Sequence, residues 1–163
     1  MTVNRRQFLN LSCACAAAVT AFGPKALHAS GGEAKSMKDM TQENLTQGFW
    51  SADSLLLSAA KYLKEPENIV RVATGFGEGM GQKGFCGFLT GGYMAIGLFA
   101  GPEKGSDKAA REKCQRLCKE YFEWWSQNYK LTCAEIGSPC DYKGMGSKSS
   151  EFLQKLFERE TAG

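Results

Sequence analysis

The chain has 163 residues, with 20 lysines and arginines against 17 aspartates and glutamates, a net charge of +3, and one histidine. That length is one ordinary domain, and so small a charge excess gives no general attraction to nucleic acid or anionic lipid. A single imidazole leaves little room for histidine-based catalysis or haem ligation.

Residues 1–29 carry the three parts of a secretory leader. Arg5 and Arg6 precede Gln7, Phe8 and Leu9, an alanine-rich apolar run covers residues 11–22, and the exit is small-residue, near Leu27, His28 and Ala29. The paired arginines make it the twin-arginine kind, so export to the periplasm is expected. That route carries proteins already folded, commonly because a cofactor is inserted first. The apolar run is shorter than the roughly 20 residues that span a bilayer, so the mature chain is expected to have no membrane span. Without Arg5, Arg6, Lys25 and His28 the mature chain holds 17 basic and 17 acidic residues and no histidine. Ser-His and Cys-His nucleophiles and imidazole-ligated haem are then excluded, and C-x-x-C-H for covalent haem is absent from the sequence.

Residues 30–40 are small and polar and read as a flexible segment, with a single helical domain over 41–163. Leu55, Leu56, Leu57, Ala59, Ala60, Tyr62 and Leu63 give one helix an apolar stripe, with Ser51 or Asp53 placed to cap its start. Pro66 ends it and opens a short helix through Ile69, Val70 and Val72. The sequence then turns glycine-rich at Gly75-Phe76-Gly77-Glu78-Gly79-Met80-Gly81. A phosphate-binding loop needs a strand before it, whereas here a helix precedes strictly alternating glycines, so nucleotide binding is not expected.

An apolar helix over residues 86–100 follows, too short and glycine-rich for a membrane span and so read as buried. Gly87, Gly91 and Ala95 fall on one of its faces, where small residues let another backbone or a bulky group approach. Residues 106–129 fit a long amphipathic helix, with Ala110, Cys114, Leu117, Cys118, Tyr121, Phe122 and Trp125 at spacings of three and four. Trp125 is expected in the core and Trp124 partly exposed. A last helix is expected over 149–160. The fold class is all-α, a small helical bundle.

The mature chain has five cysteines: Cys86, Cys114, Cys118, Cys133 and Cys140. Cys86 falls in the first turn of its helix, where free N–H groups and the helix dipole favour a thiolate and lower a cysteine pKa. The glycines before it allow more N–H groups to turn toward sulfur. Four thiolates can hold an iron-sulfur cluster or zinc. The spacing equally allows structural disulfides in an exported protein, and Cys114 also reads as an ordinary core residue.

Cys86-Gly87-Phe88-Leu89-Thr90-Gly91, with GFGEGMG before it and GYMAIGLFAG after it, resembles the signature of the C-GCAxxG-C-C family of redox-active proteins. The resemblance covers residues 48–140 and extends to a domain of the split-Soret cytochromes c, which pair an iron-sulfur centre with haems. It implies a small helical redox domain whose cysteines bind a cluster or cycle between thiol and disulfide. Cys133 matches the family's third cysteine and Cys140 its fourth, whereas Ser51 stands at the first and Phe88 replaces the signature's alanine.

The expectation is therefore an exported, haem-free electron-transfer protein with an iron-sulfur cluster of the two-iron type. Cys86, Cys118, Cys133 and Cys140 would hold it, with Cys114 or Ser51 as substitutes. Gly77, Gly79, Gly81, Gly87 and Gly91 would lie against the cofactor, and the partner would be another redox protein. Two alternatives stay open. One is a thiol-disulfide protein in which Cys86 attacks and a neighbour resolves. The other is a disulfide-stapled binding subunit that uses the Gly87, Gly91 and Ala95 face as an interface, to which a homodimer would also be suited.

Overall fold

The computed structural model describes residues 35–162, and the expected leader lies outside them. Among the described residues there are six α-helices, two 3₁₀ segments and no strand, as the helical patterning predicts.

The first helix, α1 (Met37–Thr46), begins inside the stretch read as flexible. Ser36 caps it by accepting from the Asp39 N–H at 3.1 Å. Met37, Met40, Thr41 and Asn44 are buried at helical spacing, which anchors α1 to the core. The second helix, α2 (Ser51–Leu63), is buried from Ser51 through Ala60 and is the central element. Neither Ser51 nor Asp53 is its N-cap: Trp50 holds that place without a side-chain cap bond. A polar seam joins α1 to α2, where Thr41 donates to the Ser58 hydroxyl at 2.9 Å and Asn44 to the same hydroxyl at 3.0 Å. Every member of that seam is paired, so its burial is compensated.

Two 3₁₀ segments, Glu67–Val72 and Thr74–Gly79, carry the chain through the glycine-rich region. The glycine-rich helix α3 (Gly87–Ala100) then packs on α2 with little between their backbones. A Cβ on Gly91 would lie 2.9 Å from the Ala52 Cα, and one on Gly87 would lie 2.2 Å from the Ser51 Oγ. The small-residue face is thus filled by α2 of the same chain, which removes it as an interface for a second copy. On the other side, Gly92 admits the Tyr121 ring.

The long helix α4 (Lys108–Asn128) is capped by Asp107, which accepts from the Ala110 N–H at 3.0 Å. One turn, α5 (Cys133–Ile136), and the long α6 (Tyr142–Ala162) complete the chain. The last helix starts seven residues before its expected position, where Asp141 accepts from the Gly144 N–H at 2.9 Å. Trp125 and Tyr121 are fully buried, with Phe88, Phe157 and Leu153 around them, and Trp124 is partly exposed as its position on the helix face predicts. Among the described residues no helix is long and apolar enough to cross a membrane.

Candidate redox site

Two segments distant in sequence meet through one isolated antiparallel bridge, Phe85 with Thr132. The Cys86 N–H donates to the Leu131 carbonyl at 2.9 Å, the Cys133 N–H to Gly84 at 2.8 Å, and the Ala134 N–H to Lys83 at 3.1 Å. Because side chains alternate along extended backbone, Cys86 and Cys133 leave this ladder on the same face. Each also begins a helix. Cys86 is the N-cap of α3, and Cys133 is the first residue of α5, behind a Thr132–Glu135 capping box.

Cys86, Cys133 and Cys140 line one cavity of about 700 Å³, together with Ser51 and Tyr142. Its apolar walls include Leu45, Phe49, Phe88 and Met145. Three long helices contribute their beginnings: Ser51 opens α2, Cys86 caps α3 and Tyr142 opens α6. The unpaired N–H groups and partial positive charge of helix starts therefore gather around the thiols.

Burial nevertheless decides the protonation of Cys86. The residue is 5% exposed, and this desolvation pushes its thiol up to about 12, with backbone N–H groups of Phe88 and Leu89 pulling the other way and the adjacent Cys133 thiol adding to the rise. The lowered pKa expected from a first-turn position is thus overturned. The N–H groups are there, but the loss of water outweighs them. Burial therefore favours the neutral form of the Cys86 thiol, and a bound cation would offset that cost.

Ser51 and Tyr142 form the oxygen side of the cavity. Burial raises the Tyr142 phenol above its usual range, while the hydroxyl and backbone N–H of Ser51 pull it down, which places the phenol oxygen at the start of α2. The Tyr142 ring packs on Phe88 with centroids 5.1 Å apart. Asp53, two residues further along α2, is buried, and its carboxyl is raised by desolvation against the backbone of Trp50 and the hydroxyl of Thr74. Its Oδ1 has no partner among the described residues, and Asp53 is not part of the cavity lining.

The structure divides the expected ligand set. Cys86, Cys133, Cys140 and Ser51 share the cavity, but Cys118 and Cys114 do not line it. Those two pair with each other on α4, where burial and the Cys114 thiol push Cys118 up to about 12. Helical periodicity shows that they share a face but not what that face meets. All five described cysteines are free thiols, so no disulfide staples the described residues. Of the five glycines expected against a cofactor, Gly81 alone lines the cavity. Gly77 makes room for the Trp50 ring, Gly79 (φ +64°) for the Gly84 backbone, and Gly87 and Gly91 for α2. Tyr142 was not singled out by the sequence, and its only signal was its place two residues after Cys140.

The donor set suits an iron-sulfur cluster in kind, with three thiols and a hydroxyl around an apolar-walled cavity. Among the described residues no three cysteine, histidine or carboxylate side chains stand close enough to hold a single metal ion.

Residues 49–156 match the family model described as "Putative redox-active protein (C_GCAxxG_C_C)". No curated protein matches the chain. No solved structure matches it either.

Proposed function

The chain belongs to the C_GCAxxG_C_C family of redox-active proteins, and from that premise we propose that it is a haem-free electron-transfer protein whose iron-sulfur cluster is held by Cys86, Cys133 and Cys140, with Ser51 at the remaining corner. The observation that supports this reading is that Cys86, Cys133, Cys140 and Ser51 all line one cavity, with Ser51 and Cys86 at helix starts. A cluster bound there supplies one-electron transfer. Cys86, Cys133 and Cys140 would hold it as thiolates, so loading would release protons and tighten as pH rises. The Phe88 and Leu89 N–H groups would then face a sulfur that bears more negative charge in the reduced state, so they would favour reduction. Phe88, Phe49 and Met145 make that wall apolar, and Tyr142 lies beside Ser51. Twin-arginine export of the loaded protein to the periplasm and exchange of electrons with another redox protein belong to the same proposal.

The test is a visible absorption spectrum with iron and acid-labile sulfide analysis, on full-length protein prepared without oxygen from cells with intact cluster assembly. Broad thiolate-to-iron bands with matched iron and sulfide are expected, in two-iron proportion, and Cys86→Ser, Cys133→Ser and Cys140→Ser should each lower the iron content. Cys118→Ser should leave it unchanged. A colourless, iron-free protein sinks the proposal.

The contact between Cys86 and Cys133 favours one second reading, a dithiol that closes to a disulfide. Two thiols would lose two protons and pass two electrons to the disulfide of a partner thiol. Iron-free protein that forms a Cys86–Cys133 disulfide reversibly, seen by peptide mapping after alkylation, would establish that reading instead.

A further inference from the structure

We propose that Cys114 and Cys118 form a second metal site, separate from the cavity, that takes one soft two-coordinate cation of the copper(I) class. Both residues lie within the unbroken helix α4, both are half-buried, and both pack against the apolar core with Tyr93. Four residues apart on a helix, they sit about 6 Å apart along the axis, with Cβ atoms about 5–6 Å apart and side chains on one face. The two thiols are therefore neighbours on that face, and Tyr93 packs against the same core cluster.

Geometry separates the ligands that such a pair can take. A disulfide needs Cβ atoms roughly 3.5–4.5 Å apart, which would require α4 to bend at a place where its helix is continuous. Zinc and ferrous iron seek about four donors, and among the described residues no third cysteine, histidine or carboxylate joins these two. A soft d¹⁰ ion satisfied by two thiolates fits between sulfurs that stand apart on neighbouring turns.

Charge points the same way. At mid-helix the backbone N–H groups are committed to carbonyls four residues earlier, so none can turn to compensate a thiolate. A bound cation is what lets both sulfurs ionise against an apolar floor. On binding, two S–H bonds break, two S–Cu bonds form, two protons leave to solvent, and copper remains in its +1 state. Affinity therefore rises with pH.

The test is an anaerobic titration of the full chain with copper(I) against the chelator bathocuproine disulfonate, repeated with silver(I) as a surrogate that does not change oxidation state. The Cys114→Ser/Cys118→Ser double variant, shown folded by circular dichroism, is expected to lose one equivalent of tightly held metal that the Cys86→Ser/Cys133→Ser variant keeps. In the unaltered protein, silver should protect Cys114 and Cys118 from alkylation together, a readout that needs no variant. Equal titrations of wild type and the α4 double variant would overturn the proposal. So would unprotected alkylation, or a Cys114–Cys118 disulfide formed by a mild thiol oxidant in the native protein. None of these outcomes depends on whether the cavity holds iron.

Discussion

Cys86 and Cys133 reach each other from separate helix starts, joined by a backbone bridge, whereas Cys114 and Cys118 sit one turn apart inside a single helix. Burial pushes Cys86 and Cys118 up to the same value, about 12. What differs is the backbone around them. At the bridge, N–H groups of Phe88 and Leu89 are free to face sulfur, while in α4 they are spent on the helix itself. The lesson is that a thiol's chemistry depends less on how deeply it is buried than on whether unspent donors surround it. The bridge pair suits a centre whose charge changes, and the helix pair suits a fixed cation.

The strongest way to break this contrast is to disturb the bridge pair's tertiary support alone. A Cβ at Gly87 would meet the Ser51 Oγ at 2.2 Å and the Ala52 N at 3.1 Å. Gly87→Ala should destabilise the fold by about 1–3 kcal/mol, lowering Tm and iron content while the α4 pair keeps its metal. Equal loss at both sites would mean that they are not independent.

A pH series sharpens it next. In the metal-free protein burial pushes the Cys86 thiol up to about 12, from an ordinary value of 9.0. Below about pH 9 both folded and unfolded chains are protonated. Between those values only the unfolded chain gives up its proton, so stability falls as pH rises, by up to about 1.4 kcal/mol per pH unit from this group. Denaturant unfolding of wild type and Cys86→Ala should diverge in slope over that window, and parallel curves would show that the thiol is not desolvated.

A smaller effect is expected at the capping box that positions Cys133. The Thr132 hydroxyl accepts from the Glu135 N–H at 3.2 Å. Thr132→Ala should cost about 1 kcal/mol and speed alkylation of Cys133 without changing that of Cys114. The smallest effect is at Arg159, which pairs with Glu120 at 2.7 Å across α4 and α6, with the Arg159 side chain about half in solvent and Glu120 partly so. Arg159→Ala should shift stability by less than about 1 kcal/mol and leave both metal loadings unchanged, which makes it the control.

Much of the fold could be read from residue spacing because α2, α3 and α4 carry long apolar stripes. The helix α1 was hidden by its polar content, although Met37, Met40, Thr41 and Asn44 do have helical spacing. The early start of α6 was hidden by Gly144 and Gly146, which lower helix propensity. There Gly146 packs between Leu45 and Phe88, so tertiary packing overrides local preference. At the site, Cys86, Cys133, Cys140 and Ser51 could be named from the signature, but the meeting of Cys86 with Cys133 depends on a single bridge that leaves no periodic trace. Cys118 was grouped with them because a count of thiols carries no direction, and the neighbours of α4 are set by packing that the sequence does not spell out.

The contact of Gly91 on Ala52 has a mechanical meaning beyond stability. With no side chain between them, α2 and α3 act as the two jaws of a caliper, closed to the thickness of their backbones. Ser51 stands at the tip of one jaw and Cys86 at the tip of the other. Their separation is therefore fixed by hard-core repulsion, the stiffest spacer a protein possesses, and whatever sits between those tips can change its charge while the jaws that hold it stay still.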